Sequence, residues 1–161
     1  MAELLIVYHS LTGGSRQMAE AAADAARDEI TVTLKTAAEA GPEDLMRASG
    51  YIFCAPENLA AIAGVMKDFY DRSYYPVLGR IEGRAYAQMV CAGSDGANAA
   101  RQTARIAQGW RLKEVQPPLI ICTHAQTPEA ILAPKTIPET ELKACRELGQ
   151  AMGAGLAMGA F

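Results

Sequence analysis

Two histidines, three phenylalanines and one tryptophan in 161 residues leave little material for several common chemistries. The four cysteines, at 54, 91, 122 and 145, form no C-x-x-C pair and have no histidine pair nearby at ligand spacing, which excludes a conventional zinc site. None has an arginine six positions further on, so phosphatase chemistry on a C-x5-R loop is excluded too. Neither G-x-x-x-x-G-K-[S/T] nor G-x-G-x-x-G occurs, which removes the usual nucleoside-triphosphate and dinucleotide loops. Basic residues are outnumbered, 15 against 18 acidic, and the net charge of −3 lacks the excess that nucleic acid requires. Long apolar runs are missing as well. Met1-Ala2-Glu3 carries no basic segment ahead of a short apolar stretch, so it fails as a signal peptide, and a cytoplasmic protein is expected. The small-residue tail from Gly149 to Gly159 is too short to span a bilayer, and close helix packing explains it better.

What remains is a balanced globular chain, half apolar and one fifth charged. Its length suits one domain over residues 1–161, able to bury ~70% of its unfolded surface. Apolar runs predict strands near 3–8, 30–35, 50–55, 85–92 and 118–123, several continuously apolar as in a parallel sheet covered on both faces. Cys54, Cys91 and Cys122 each end such a run and read as small buried hydrophobes. Helical patterns fill the gaps, over about 16–28, 43–47, from about 63, over 97–108 and from 139 towards 155. Alternation of this kind predicts an α/β doubly wound three-layer sandwich with a five-stranded parallel sheet in the order 2-1-3-4-5. A ligand crevice then lies at the carboxyl ends of strands 1 and 3, where the winding reverses. Three prolines between Gln126 and Pro138 rule out a regular helix throughout that segment, which reads as a surface connection in preference to a lid or a subunit contact.

The most informative stretch is Ser10-Leu11-Thr12-Gly13-Gly14-Ser15, set between the first apolar strand and the first helix. Such a turn suits a phosphate. The first N–H groups of a helix have no partner inside it, the helix dipole is positive there, glycine permits positive φ, and three hydroxyls add donors. The alternative is an ordinary turn in which one hydroxyl caps the helix.

Two further loops follow strands 3 and 4: Ala55-Pro56-Glu57-Asn58-Leu59-Ala60, leading into Gly64-Val65-Met66-Lys67-Asp68-Phe69-Tyr70-Asp71, and Ala92-Gly93-Ser94-Asp95-Gly96. With the first turn, these loops resemble the flavodoxin family, and within it the branch of NAD(P)H-dependent FMN reductases and quinone reductases. The resemblance implies FMN, with its phosphate on Ser10, Thr12, Gly13, Gly14 and Ser15. It implies an isoalloxazine ring between Pro56, Glu57, Asn58, Leu59 and Ala60 on one side and Gly93, Ser94, Asp95 and Gly96 on the other. Electron-carrier flavodoxins usually sandwich the ring between aromatic side chains and are strongly acidic, whereas neither loop here holds Trp, Tyr or Phe. A bare ring face suits NADH or NADPH as co-substrate, followed by a small-molecule acceptor such as a quinone or free flavin, probed by successive stacking on the same face. A homodimer is expected. The alternatives are a one-electron carrier and a binding protein of the same fold without redox activity. His9 and His124 fall at the carboxyl ends of strands, where each reads either as a proton donor or as a hydrogen-bonded loop residue, and Glu57 reads as an exposed carboxylate before it reads as an acid. Arg16 reads as an exposed helix residue that stands within reach of the phosphate. Tyr70, Tyr74, Tyr75 and Trp110 read first as partial core.

Overall fold

A computed structural model describes residues Met1–Phe161. Seven strands, β1 (Glu3–Tyr8), β2 (Thr31–Thr36), β3 (Gly50–Asn58), β4 (Ala61–Ile62), β5 (Ala85–Ala92), β6 (Lys113–Glu114) and β7 (Leu119–Cys122), alternate with six helices. The helices are α1 (Gly14–Ala26), α2 (Pro42–Arg47), α3 (Gly64–Val77), α4 (Ala97–Gly109), α5 (Pro128–Leu132) and α6 (Glu139–Met158). The main sheet runs β2-β1-β3-β5 and then an edge shared by β6 and β7, all parallel. This is the expected order 2-1-3-4-5 with its fifth strand in two pieces. The break falls at Val115–Pro118, where two consecutive prolines have no N–H to give a ladder. No helix is long and apolar enough to cross a membrane.

Strand alternation divides the interior into two layers. Leu4, Ile6, Ile52, Cys54, Ala87, Met89 and Cys91 face α1 and α6, while Leu5, Val7, Tyr51, Phe53, Tyr86 and Val90 face α2, α3 and α4. The second layer holds the aromatics. Phe53 lies within 6.5 Å of Tyr51, Phe69, Tyr70, Tyr86 and Trp110 by ring centroid, and Trp110 is fully buried with its Nε1–H donated to the Tyr74 carbonyl. Of the four aromatics singled out from sequence, only Tyr75 is largely exposed.

The first layer depends on small residues. α1 is rich in alanine, with Ala19, Ala22, Ala23 and Ala26 all fully buried, and α6 crosses it at Gly149. A Cβ on Gly149 would sit 2.1 Å from the Ala22 carbonyl oxygen. This close approach fixes α1 under the sheet and aims its N-terminus at the carboxyl end of β1. Alanine favours a helix interior over glycine by about 1 kcal/mol, whereas forcing a methyl into a closed backbone contact costs about 1–3 kcal/mol. Gly149→Ala is therefore expected to lower the unfolding free energy by about 1–2 kcal/mol in urea titration, and a neutral or stabilised variant would show that the two helices separate freely.

Candidate functional site

The turn after β1 closes on itself with one of its own N–H donors and leaves the others free. Gly13 takes the left-handed conformation at φ 98°, donates its N–H to Ser10 Oγ at 3.0 Å and serves as the N-cap of α1. No hydroxyl caps the helix. The Gly13 carbonyl accepts the first helical bond from Gln17 N–H at 3.1 Å, while the N–H groups of Thr12, Gly14, Ser15 and Arg16 find no acceptor in the turn or the helix. Gly14 is pressed against the sheet, since a Cβ there would lie 2.6 Å from Cys91 Sγ. Ser15 is buried at 2% exposure, and its Oγ has no hydrogen-bond partner. A buried hydroxyl without a partner costs about 1–3 kcal/mol. That orphan hydroxyl, at the positive end of a thirteen-residue helix and beside unpaired N–H groups, fits an anionic oxygen. The Arg16 guanidinium is also at hand, with Nη2 3.3 Å from the position of a Cβ on Gly13.

The second loop is the tip of a hairpin. β3 runs three residues past its expected end and pairs antiparallel with β4, matching Glu57 to Ile62 and Asn58 to Ala61. Leu59 and Ala60 form the two-residue turn, at φ 51° and 64°. Positive φ at both positions is what this turn demands, normally of Asn and Gly, so two ordinary residues store strain here. The Leu59 side chain is fully exposed at the tip.

Glu57 joins the second loop to the third. Its carboxylate accepts from Gly96 N–H at 2.9 Å and from Ala99 N–H at 3.3 Å, neutralising donors at the head of α4. Gly96, at φ 86°, is the αL pivot of that helix start, and a Cβ there would meet Ile120 at 2.7 Å. Asn98 Nδ2 donates to the Ala60 carbonyl at 2.6 Å, and Gln102 accepts from Ile62 N–H at 2.8 Å. One helix thus holds the whole hairpin. Asp95 accepts from Ala97 N–H at 3.2 Å, and Ser94 is exposed beside it.

The three loops converge. A small cavity of about 80 Å³ is lined by Thr12 from the first, Pro56, Glu57 and Asn58 from the second, and Cys91, Ala92 and Gly93 from the third. On the other side of the first turn a cleft of about 430 Å³ opens between His9, Ser10, Thr12, Gly13 and Arg16 and the Leu132–Pro134 region. Gly14, Ser15, Leu59, Ala60, Ser94, Asp95 and Gly96 border neither space directly. Burial lowers the pKa of His9, favouring the neutral imidazole, and the backbone N–H of His9 is given to the Cys54 carbonyl at 3.1 Å. His124 is exposed at φ 61° with its N–H on the Gly93 carbonyl at 2.8 Å. Burial pushes the thiols up, Cys91 to about 11 and Cys145 to about 12, and Cys54 is raised for the same reason. All stay protonated and inert as nucleophiles at neutral pH.

Sequence reasoning missed Thr123, Ala125, Ile131 and Lys135, which complete the wall of the small cavity. Thr123 and Ala125 follow β7 directly, and Ile131 and Lys135 belong to the proline-containing segment read as a surface connection. That segment folds back onto the turn after β1, with Lys135 N–H on the Thr12 carbonyl at 2.8 Å and Ile137 buried at 3% exposure. The prolines marked it as irregular; no local signal reports a contact 118 residues away.

No family model matches the chain. It is similar to the flavodoxin of Aquifex aeolicus, 34% identical over 94 residues that make up 57% of this chain and 49% of that protein. It is similar to an NAD(P)H dehydrogenase (quinone) of Acidithiobacillus ferrooxidans, 34% identical over 45% of this chain and 48% of that protein. The chain spans about half the length of these curated relatives. Among solved structures, a flavodoxin from the domain Archaea superposes with a TM-score of 0.77 at 16% identity, covering 96% of this chain and 98% of the other. An open parallel sheet wound in this order, covered by helices on both faces and matched across nearly its whole length, gives this chain a flavodoxin-like fold.

Proposed function

We propose that this chain binds FMN and carries electrons from NADH or NADPH to a quinone, a free flavin or a similar small acceptor, working as a homodimer. The observation that carries the reading is the buried, unpartnered Ser15 hydroxyl beside the free N–H groups at the head of α1, an arrangement that a phosphate completes. Names borne by similar proteins, a flavodoxin and a quinone-reducing NAD(P)H dehydrogenase, support flavin redox chemistry. Bound FMN supplies two-electron chemistry that no side chain here provides.

Each group then has a task. Ser10, Thr12, Gly13, Gly14 and Ser15 surround the phosphate, held by the free N–H groups of Thr12, Gly14 and Ser15 and by the three hydroxyls, with Gly13 as the pivot of the turn and Arg16 closing the outer side. Pro56, Glu57, Asn58, Leu59 and Ala60 border one side of the ring, and Gly93, Ser94, Asp95 and Gly96 the other. Glu57 acts as a spacer: with both oxygens on the head of α4, it holds the two loops at a constant separation. The backbone N–H of His9 ties the end of β1 to β3 through the Cys54 carbonyl. With no aromatic side chain on either tip, a planar nicotinamide or quinone has room to stack, which favours exchange of substrates over one-electron carriage.

The orphan hydroxyl yields a test with opposite signs. Ser15→Ala removes an unsatisfied buried group from the apo protein and one donor from the phosphate site. It is expected to leave apo stability unchanged or raise it by about 1 kcal/mol while weakening FMN about tenfold, as read by chemical denaturation and flavin fluorescence quenching. Several charge-assisted bonds of about 1.5–3 kcal/mol each should also make riboflavin bind orders of magnitude more weakly than FMN. Equal affinity for the two flavins would remove the first turn from the site.

For the electron path, the FMN-loaded protein is expected to lose its visible flavin absorbance on anaerobic addition of NADH or NADPH and to regain it when benzoquinone follows. Initial rates should then give the parallel lines of a substituted-enzyme mechanism. A loaded protein that neither nucleotide reduces, but that a one-electron donor does, would establish the carrier reading instead.

A further inference from the structure

The segment after β7 leaves the sheet gradually. Thr123 N–H and His124 N–H still bond to the carbonyls of Ala92 and Gly93, both at 2.8 Å, before the left-handed His124 turns the chain away. Thr127 then caps the single turn α5 by accepting from Ala130 N–H at 3.2 Å. At the other end of α5, Lys135 Nζ donates to the carbonyls of Ala130, Ile131 and Ala133 at 2.7–2.8 Å. All three ammonium protons are directed inward, so residues 127–135 form one compact piece, with Ile131 and Leu132 exposed on it.

This piece is fastened to the phosphate-type turn by one side chain. Gln17 accepts from Ile137 N–H at 2.9 Å and donates from its amide nitrogen to the carbonyls of Lys135 at 2.7 Å and Gly13 at 2.9 Å. Every strong donor and acceptor of that amide is engaged. Gly13 is the left-handed pivot of the turn, and Lys135 N–H bonds to Thr12 next to it. Position of the segment and shape of the turn are therefore linked. Between the segment and the three loops lies a space of about 80 Å³, whereas pockets for ligands of flavin size begin at about 300 Å³.

We infer that residues 125–138 are a latched cover over the ring end of the flavin site, that Gln17 is the latch, and that the cover lifts to let the flavin in and out. This inference rests on the FMN reading above. Gln17 is a positioning residue: it acts on the site through Gly13 and Lys135. Lifting breaks the two bonds to Lys135 backbone atoms and leaves buried Ile137 as the fixed end, so the compact piece moves as a body. A closed cover slows entry and exit alike, and occupation of the turn by phosphate favours closure through the shared Gly13.

Gln17→Leu keeps a good helix former in α1 and removes all three side-chain bonds. In stopped-flow fluorescence with FMN, both the association and the dissociation rate constants are expected to rise about tenfold, with a smaller change in their ratio. Hydrogen exchange of the Lys135 amide, whose acceptor on Thr12 the variant keeps, should accelerate by a similar factor in the FMN-free protein. Lys135→Met, which loosens the cover without touching α1, should reproduce the faster association. A faster dissociation with unchanged association in both variants would make Gln17 a support for the turn alone and overturn the cover, as would unchanged amide exchange. Wild-type protein that fails to quench FMN fluorescence would instead overturn the flavin reading itself.

Discussion

Everything at the candidate site depends on a helix that begins with donors it cannot satisfy. The N–H groups at the head of α1 have no acceptor among the protein atoms of the turn, and a left-handed glycine directs them at one region of space. Packing makes that arrangement permanent. Gly14 lies against Cys91, and Gly149 of α6 lies against the backbone of Ala22, so neither end of α1 can retreat from the sheet. Unpaired amides and a buried hydroxyl lower stability in the free protein, and an anion bound there would offset that cost and so couple folding energetics to ligand binding.

The other two loops are held by a different device. Charge at the head of α4 is answered by Glu57 of the hairpin, and Asn98 and Gln102 reach back to the hairpin backbone. The strained turn at Leu59 and Ala60 is kept by these bonds in place of its own propensity. Rigid loops around a cavity suit a cofactor whose chemistry is intrinsic, because the protein then needs to position it, exclude water and leave one face accessible. Buried thiols raised towards 11 and 12 and a neutral His9 agree with a site that lacks a nucleophile of its own.

Much of this was legible in the amino-acid order. The strand ends at Tyr8, Ala92 and Cys122 follow the apolar runs closely, and the strand order follows from alternation and length. The first turn stood out because glycine and hydroxyl residues between an apolar run and a helix have few other uses. The reading of Glu57 as a solvated carboxylate gave way to a helix cap, since its partners are close only after β3 and α4 meet. The split fifth strand was half visible: Pro117 and Pro118 mark the gap, but two residues such as Lys113 and Glu114 carry no periodicity.

Local order, then, determined the elements and the open, glycine-pivoted turn between β1 and α1, because backbone freedom at glycine, helix-end donors and side-chain periodicity act over a few residues. Tertiary structure alone decided that residues 125–138 would lie on that turn. The bonds responsible join Gln17 to Lys135 and Ile137, 118 and 120 residues apart, and an amide side chain on a helix surface has no sequence signature for a partner that arrives only when α6 docks on α1.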